Sequence, residues 1–362
     1  DEVNKERGVD ERLSGSNSPH IDIVRSAGAI VIRQHRPMVL SHLAGLGVDR
    51  ALAMVPTLLP VCGVAQSVAA QRAVEAARGQ DGAGQEPLRQ QQLWREQALS
   101  AAWRLAVDWS DLLSVPRDMA WLKAVRDGSN EAIVQLLDTA LAGLNAVDTI
   151  ENLATWADAS DSSAAAMARQ GLACAGETAH EYPQIQALQG ETLSVRARAL
   201  LASADFDPAA AMPRAVEVGP LAMRRDALTG AVLEQFGPGT GSRLLALLLD
   251  MRHILAGLAG SPPPEEDVPR AWPEGGQVGT GCARTARGPV FHRVELDGEE
   301  RVRHWRALAP TDWHFAAGGP VAAALAGCDD DAQGRLTVAS FDPCAPWALQ
   351  LAGKASGESG RA

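Results

Sequence analysis

The sequence predicts an α+β protein that is mainly helical, with small β regions near the N- and C-terminal parts. Three observations carry the prediction. Residues 88–258 read as helices almost throughout. The clearest is "SRLLALLLDMRHILAGLAG", in which Leu244, Leu247, Leu248, Met251, Ile254, Leu255 and Leu258 recur at steps of three and one and so share one helix face. Residues 21–33, "IDIVRSAGAIVIR", are rich in β-branched side chains and read as one or two short strands. Near the end, "PVFHRVELDGEERVRHWRAL" alternates about Asp297-Gly298, a hairpin signal. A helical body with strands toward both ends is the order of an α+β fold.

Taken in order, residues 1–20 are polar and are expected to be disordered. A single domain is expected over 21–350, followed by a disordered tail over 351–362. Between Met38 and Arg78 the pattern is helical, with a turn at "PTLLPVCG", where two prolines and a glycine interrupt it. Residues 80–87 form a loop containing glycine and proline. "GPGTGS" at 237–242 lacks the Lys-Ser/Thr of a phosphate loop and reads as a helix cap and turn. On the long helix, Asp250 and Arg252 lie off the apolar face and are expected to be solvated or paired. Residues 260–275, "GSPPPEEDVPRAWPEG", cannot continue a helix and are expected to form an extended loop.

Composition excludes several function classes. The chain of 362 residues carries 33 Lys and Arg against 44 Asp and Glu, a net charge of −11. That sign repels phosphate backbones, so no nucleic-acid partner is expected. No run of apolar residues reaches membrane-spanning length, so no membrane span is expected. The segment "DEVNKERGVDERLSGSNSPH" is charged, unlike a secretory signal. The five cysteines are scattered and odd in number, which points to a reducing cytoplasm.

Three stretches could carry chemistry. Cys62 sits at a turn that opens a helix, and a helix N-terminus lowers a thiol pKa and favours a thiolate ligand; a small buried hydrophobe is the plainer reading. "GTGCARTARGPVFHRVELDG" holds Arg284, Arg287 and His292. Its closely spaced glycines allow a close backbone approach, and Arg287 offers a fork of donors to an anion. "SFDPCAPWALQ" places Cys344 after an Asp342-Pro343 step. Cys174, Cys282 and Cys328 read as packing residues. The histidines show no metal-binding pair at helical spacing.

In the order in which they occur, "VCGVAQSVA" around Cys62, "EVGPLAMR" at 217–224, "RTARGPVFH" at 284–292, "APTDWHF" at 309–315 and "SFDPCAPWALQ" resemble the large subunit of nickel–iron hydrogenases. That family has Cys-Gly-x-Cys-x-x-x-His early and Asp-Pro-Cys-x-x-Cys-x-x-His late. Between them it has Val-Gly-Pro-Leu-Ala-Arg, Glu-Ala-Pro-Arg-Gly-x-Leu-x-His and Pro-Thr/Ser-x-Trp-Asn elements. The resemblance spans about residues 30–350 and implies a hydrogenase large-subunit-like helical body.

The departures matter as much as the matches. The family's four cysteines hold nickel, and the second of each pair bridges to iron. Here Cys62 and Cys344 remain, while Ala65 and Trp347 stand at the bridging positions and Ala69 and Gln350 replace the histidines. Arg284 stands where the late glutamate would be, Ala286 where its proline would be, and Val39 where a proton-transferring glutamate would be. Two thiolates cannot build a closed four-sulfur nickel site, and the Trp347 ring is expected to fill the space of the second metal. No nickel and no hydrogen activation are therefore expected.

What the resemblance retains is the half of the site that faces iron. By that resemblance Arg287 lies against the diatomic ligands, Thr311 donates a hydrogen bond to a cyanide, and Asp342 holds the arginine. A desolvated guanidinium and a hydroxyl suit anionic cyanide acceptors. This profile is similar to hydrogenase expression/formation accessory proteins of the HupK/HoxV type, which look like degenerate large subunits. It implies a non-enzymatic scaffold that transiently holds iron carrying cyanide and carbon monoxide ligands, with Cys62 and Cys344 as metal ligands. The implied partners are the hydrogenase large-subunit precursor and hydrogenase maturation proteins. Iron is held in the family by the bridging cysteines lost here, so two arrangements stay open: a fragment displaced toward Cys62 and Cys344, or one thiol plus another ligand. A metal-free chaperone that engages maturation factors is the alternative reading. With Gln350 in place of the terminal histidine, no C-terminal processing is expected.

Overall fold

The computed structural model describes residues 20–351 apart from 36–37, 114–122, 124–129, 178–185, 188, 209–214 and 224–225. The end segments expected to be disordered, 1–19 and 352–362, lie outside the described residues. His20 already belongs to the first strand, and Leu351 is buried.

Strands β1 (His20–Ser26) and β2 (Ala29–His35) pair antiparallel in register His20↔His35. The two turn residues, Ala27 and Gly28, have φ of 49° and 80°, the left-handed geometry of a two-residue hairpin turn. Alternation sends Ile21 and Ile23 into the core and the even-numbered side chains to the other face.

Helix α1 (Val48–Leu58) continues through Pro56 and stops at Leu59. One turn of 3-10 helix, Pro60–Cys62, then redirects the chain by 92° into α2 (Gly63–Ala77). The break therefore falls at the second proline of "PTLLPVCG", since a proline in the last helical turn costs one backbone bond that Pro60 would compound. No single helix among the described residues is long and apolar enough to cross a membrane; the bent pair α1 and α2 passes that test together.

Helix α3 (Glu86–Trp103) begins inside the loop expected over 80–87 and runs through a π-helical turn, Arg104–Asp108, into α4 (Trp109–Leu112). Next come α5 (Asn130–Ala140), α6 (Ile150–Asp158) and α7 (Ser163–Glu177). A two-residue parallel pair, β3 (Gln186–Ala187) and β4 (Val216–Glu217), flanks α8 (Gly190–Ala202). Helices α9 (Pro220–Met223), α10 (Ala227–Phe236) and α11 (Thr240–Leu258) follow. Gly237, at φ 70°, ends α10, and Gly239 caps α11, so "GPGTGS" is the expected cap and turn.

Helix α11 is the axis of the largest core, and it corrects the expectation of a single apolar face. Leu244, Leu245, Leu247, Leu248 and Leu249 are all buried, each worth about 1.5–3 kcal/mol of transfer free energy. Neighbours crowd it on several sides. A Cβ on Gly241 would meet Gly171 O of α7 at 2.3 Å, and one on Gly257 would meet the Trp94 ring of α3 at 2.3 Å. Asp250 is accordingly not solvated but buried and paired, and Arg252 pairs with Asp226 at 2.6 Å.

The extended segment after α11 is shorter than expected. Strand β5 starts at Arg270 and runs to Gly275, followed by β6 (Val278–Thr285), β7 (Gly288–Leu296) and β8 (Val302–Leu308) in one antiparallel sheet of order β5-β6-β7-β8. Pro273 is tolerated because β5 is an edge strand and shifts register between Pro273 and Gly275. The sheet lies on α2. A Cβ on Gly279 or Gly281 would strike backbone oxygens of α2, Ala73 O at 2.3 Å and Ala69 O at 2.2 Å. The close approach foreseen at these glycines is therefore made by a helix. Short helices α12 (Pro310–His314) and α13 (Pro320–Leu325) lead to α14 (Asp331–Ser340) and β9 (Trp347–Gln350), which joins β1 in parallel, Ile21↔Trp347.

Candidate functional site

Five residues from distant parts of the sequence meet where α2, β6–β7, α12 and the end of α14 converge. Cys62 is the N-cap of α2, Arg287 sits in the tight turn between β6 and β7, and Thr311 lies in α12. Asp342 and Cys344 follow α14. The arginine Nε donates to the Asp342 carbonyl at 2.9 Å and lies 3.2 Å from its Oδ2, and its Nη1 donates to Cys62 Sγ at 3.5 Å. Thr311 Oγ1 donates to Cys344 Sγ at 3.0 Å and accepts from Cys344 N at 3.2 Å. The five residues that the resemblance assigns to the site are thus brought together.

Asp342 is aimed by its backbone. Its N–H donates to Ala339 O at 3.0 Å, closing α14, and its φ is 49°. Glycine usually takes this left-handed helix-ending position. An aspartate immediately before a proline is strained there, and the carboxylate is what the position gains. It pairs with Arg287 and also with Arg104 of the π-helical turn. Burial opposes the charge on Asp342, but Arg104 and Arg287 outweigh it and hold its carboxyl below the usual range. Burial likewise disfavours charge on Arg287, and Asp342, Cys62 and Cys344 outweigh it. Two guanidiniums share this one carboxylate, and the Glu96 and Asp108 carboxyls, whose charge burial disfavours, lie within their field.

The expected low thiol pKa of Cys62 is overturned. Burial pushes it up to about 12, and the nearby Arg287 charge recovers only part of that. The helix N-terminus does not help, because its first amides are already taken. Val64 N and Ala65 N donate to Glu96 of α3 at 2.7 and 3.0 Å, and the Glu96 charge itself raises the thiol. Burial raises Glu96 as well, against those two amides. Cys62 packs with Ala65, Val68, Ala69, Leu93 and Ala283. The positions where the resemblance has a bridging thiol and a histidine are therefore filled core.

Cys344 differs in being half-buried and opening, with Arg287 and Asp342, onto a cleft of about 750 Å³ whose walls include Trp103, Asp108, Trp109 and Trp347. Trp347 was expected to fill the second-metal space. It forms one wall of this cleft and packs partly against the core beneath β1. Burial raises the Asp108 carboxyl, and the Asp342 charge adds to it.

Other sequence candidates are structural. Arg284 is fully enclosed, forked onto Asp250 at 2.8 and 2.9 Å and bonded to Asp267 at 3.0 Å. His292 Nε2 donates to Gln66 Oε1 at 2.6 Å while Nδ1 accepts from Trp305 at 2.9 Å, and burial lowers its pKa to about 3. Sequence reasoning missed Arg104 and Glu96. Their only local signal is a charged residue placed on the buried stripe of a helix. It also missed a histidine pair, because His20 and His35 are cross-strand neighbours rather than helical ones.

No family model matches the chain. Among individual proteins, the chain is 30% identical over 354 residues to the hydrogenase expression/formation protein HupK of Azotobacter vinelandii, covering 92% of this chain and 98% of the relative. It is 31% identical over 341 residues to the hydrogenase expression/formation protein HupV of Azotobacter chroococcum mcd 1, covering 89% and 94%. The chain belongs to this HupK family. A third HupK protein, from Bradyrhizobium diazoefficiens, is 28% identical over 338 residues.

Solved structures show the fold of this HupK-family chain. The Ni-Fe-Se hydrogenase of D. vulgaris Hildenborough in its oxidized state superposes with TM-score 0.55 at 15% identity, covering 88% of this chain and 94% of that one. The NAD+-reducing [NiFe]-hydrogenase in its H2-reduced state gives 0.51 at 16% identity, covering 88% and 93%. The architecture is that of a hydrogenase large subunit.

Proposed function

We propose that this protein serves hydrogenase formation as a non-enzymatic scaffold, transiently holding an iron–cyanide–carbonyl fragment before its transfer to the large-subunit precursor. The observation that carries the reading is the joint placement of Arg287, Asp342 and Cys344 on the wall of an open cleft, with Thr311 hydrogen-bonded to Cys344. A guanidinium pair and a hydroxyl suit anionic cyanide nitrogens, and a sulfur beside them suits the iron. The names of the relatives, hydrogenase expression/formation proteins, support the same role.

Access favours Cys344 as the first ligand. It borders the cleft, whereas Cys62 lies behind the arginine and its thiol keeps its proton. Iron binding at either sulfur exchanges the thiol proton for an iron–sulfur bond, and the proton leaves to solvent. At Cys62 that exchange is held back by the raised pKa, so the grip is weak and release is favoured. Ala65 and Ala69 in filled core leave no place for a closed nickel site, in keeping with a carrier rather than a turnover enzyme. At the cleft mouth Val61, Leu99 and Trp103 are exposed, an apolar rim suited to a protein partner.

The test is purification from cells with an intact hydrogenase maturation system, followed by infrared spectroscopy of the cyanide and carbonyl stretches and an iron assay. Bands with near-stoichiometric iron, lost in Cys344→Ala and weakened in Arg287→Lys, are expected. A flat spectrum without iron under anaerobic handling would replace this reading with a metal-free chaperone.

A further inference from the structure

We infer that the β1–β2 hairpin carries a site for a divalent transition-metal ion, built from His20, Asp22 and His35. The pairing register sets His20 directly opposite His35, with Asp22 two residues along β1, and strand alternation puts all three on the face turned away from Ile21 and Ile23. The two imidazoles stack with centroids 4.3 Å apart. Asp22 Oδ2 lies 3.0 Å from His35 Nε2 and 3.6 Å from His20 Nε2, and one ligand atom from each residue falls within 4.8 Å of the others.

A second observation points to a ligand. The other carboxylate oxygen, Asp22 Oδ1, is buried with no hydrogen-bond partner among the described residues. A buried carboxylate oxygen left in that state is costly, and a cation beside it removes the cost. The site is also reachable, since the His35 side chain is 48% exposed while Asp22 is 15% exposed.

The donor chemistry narrows the ion. Two imidazole nitrogens and a carboxylate suit Zn²⁺, Ni²⁺ or Co²⁺, whereas Mg²⁺ and Ca²⁺ call for oxygen ligands and Cu⁺ for sulfur. Bonds of about 2.0–2.1 Å separate neighbouring ligand atoms by about 3.0–3.4 Å, close to the two distances found. Three protein ligands leave a coordination position for water. Arg33, opposite Asp22 on the same face, opposes a dication and makes the site weaker than a closed four-ligand zinc site.

The site uses none of Cys62, Cys344 or Arg287, so it stands or falls apart from the iron reading. It bears on the same region nonetheless. Ile21 N donates to Pro346 O at 2.9 Å, and Asp22 is the register partner of Ala348. An ion on β1 therefore braces the strand that continues from Cys344.

The test is titration of the metal-free full-length protein with Co²⁺, followed by visible spectroscopy and thermal melting. One equivalent bound with nitrogen/oxygen-type bands is expected, with a rise in Tm. His35→Gln and Asp22→Asn should each weaken binding by about tenfold or more and abolish the Tm rise. The Cys62→Ala/Cys344→Ala double variant should bind unchanged. Undiminished binding in either hairpin variant, or sulfur-to-cobalt bands that vanish in the cysteine double variant, would overturn the inference. Asp22→Asn, which is isosteric, decides the matter if His35→Gln fails to fold, and its metal-free Tm shows whether the hairpin is intact.

Discussion

Asp342 holds Arg287 through two different oxygens, its backbone carbonyl at 2.9 Å and its carboxylate at 3.2 Å. The same carboxylate pairs with Arg104, so one acid bridges two cations. Asp342→Asn keeps the shape and removes the charge. A stability loss of about 3–5 kcal/mol is expected, the cost of breaking a buried pair from one side, read by urea denaturation. A loss near zero would mean that both guanidiniums find other acceptors.

The cysteines should differ sharply in reactivity. With its pKa near 12, only about one Cys62 thiol in ten thousand is ionised at pH 8, and it is buried as well. A thiol-alkylating reagent at that pH should modify Cys344 well before Cys62, as followed by peptide mass spectrometry. Equal rates would contradict the burial of Cys62.

Stability should fall on acidification in a way traceable to His292. The unfolded chain takes up a proton on this residue near 6.5, while the folded chain resists it down to about 3. Between those values the unfolded state binds more protons, so stability drops by about 1.4 kcal/mol per unit of pH decrease. Protonation would also set an Nδ1–H against the Trp305 N–H that Nδ1 now accepts. In His292→Gln the slope of unfolding free energy between pH 6 and pH 4 should be shallower by about that amount. Identical slopes would show that the fold accommodates the charged ring.

Gly281→Ala should be among the most damaging single-methyl additions in the protein. Its Cβ would lie 2.2 Å from Ala69 O and 2.3 Å from Ala73 N, both helix backbone atoms with no rotamer to yield. A loss of about 1–3 kcal/mol or more is expected from overpacking. Gly298→Ala, in the turn between β7 and β8 with nothing within 4 Å, serves as the near-neutral control. Comparable Tm values for the two variants would refute the tight seam between α2 and β6.

What could be read beforehand depended on whether the signal was local. The long apolar helix, the hairpin about Asp297-Gly298 and the turn at Cys62 each announce themselves within twenty residues. Cys62, Arg287, Thr311, Asp342 and Cys344 were legible through short motifs, and the fold gathers them. Arg104 and Glu96 sit in α3 and the π-helical turn beyond it, and their partners lie 238 and about 30 residues away, so no spacing rule reaches them. The thiol pKa of Cys62 was misjudged for the same reason: the residue that occupies the helix N-terminus comes from another helix. His20 and His35 needed a strand register, not a helical period. The burial of α11 on every side from Thr240 to Met251 depends on the helices around it, which its own periodicity does not reveal.

The parallel seating of β9 beside β1 has a consequence for synthesis. In order of synthesis, the hairpin of β1 and β2 comes some three hundred residues before the strand that covers the open edge of β1 from Ile21 to Val24. Throughout that interval the nascent chain presents an unsatisfied edge. The turn carrying Cys344 is anchored only when the gap closes, through Pro346 and Trp347. The cleft is thus a late product of vectorial synthesis, completed only once β9 has been made.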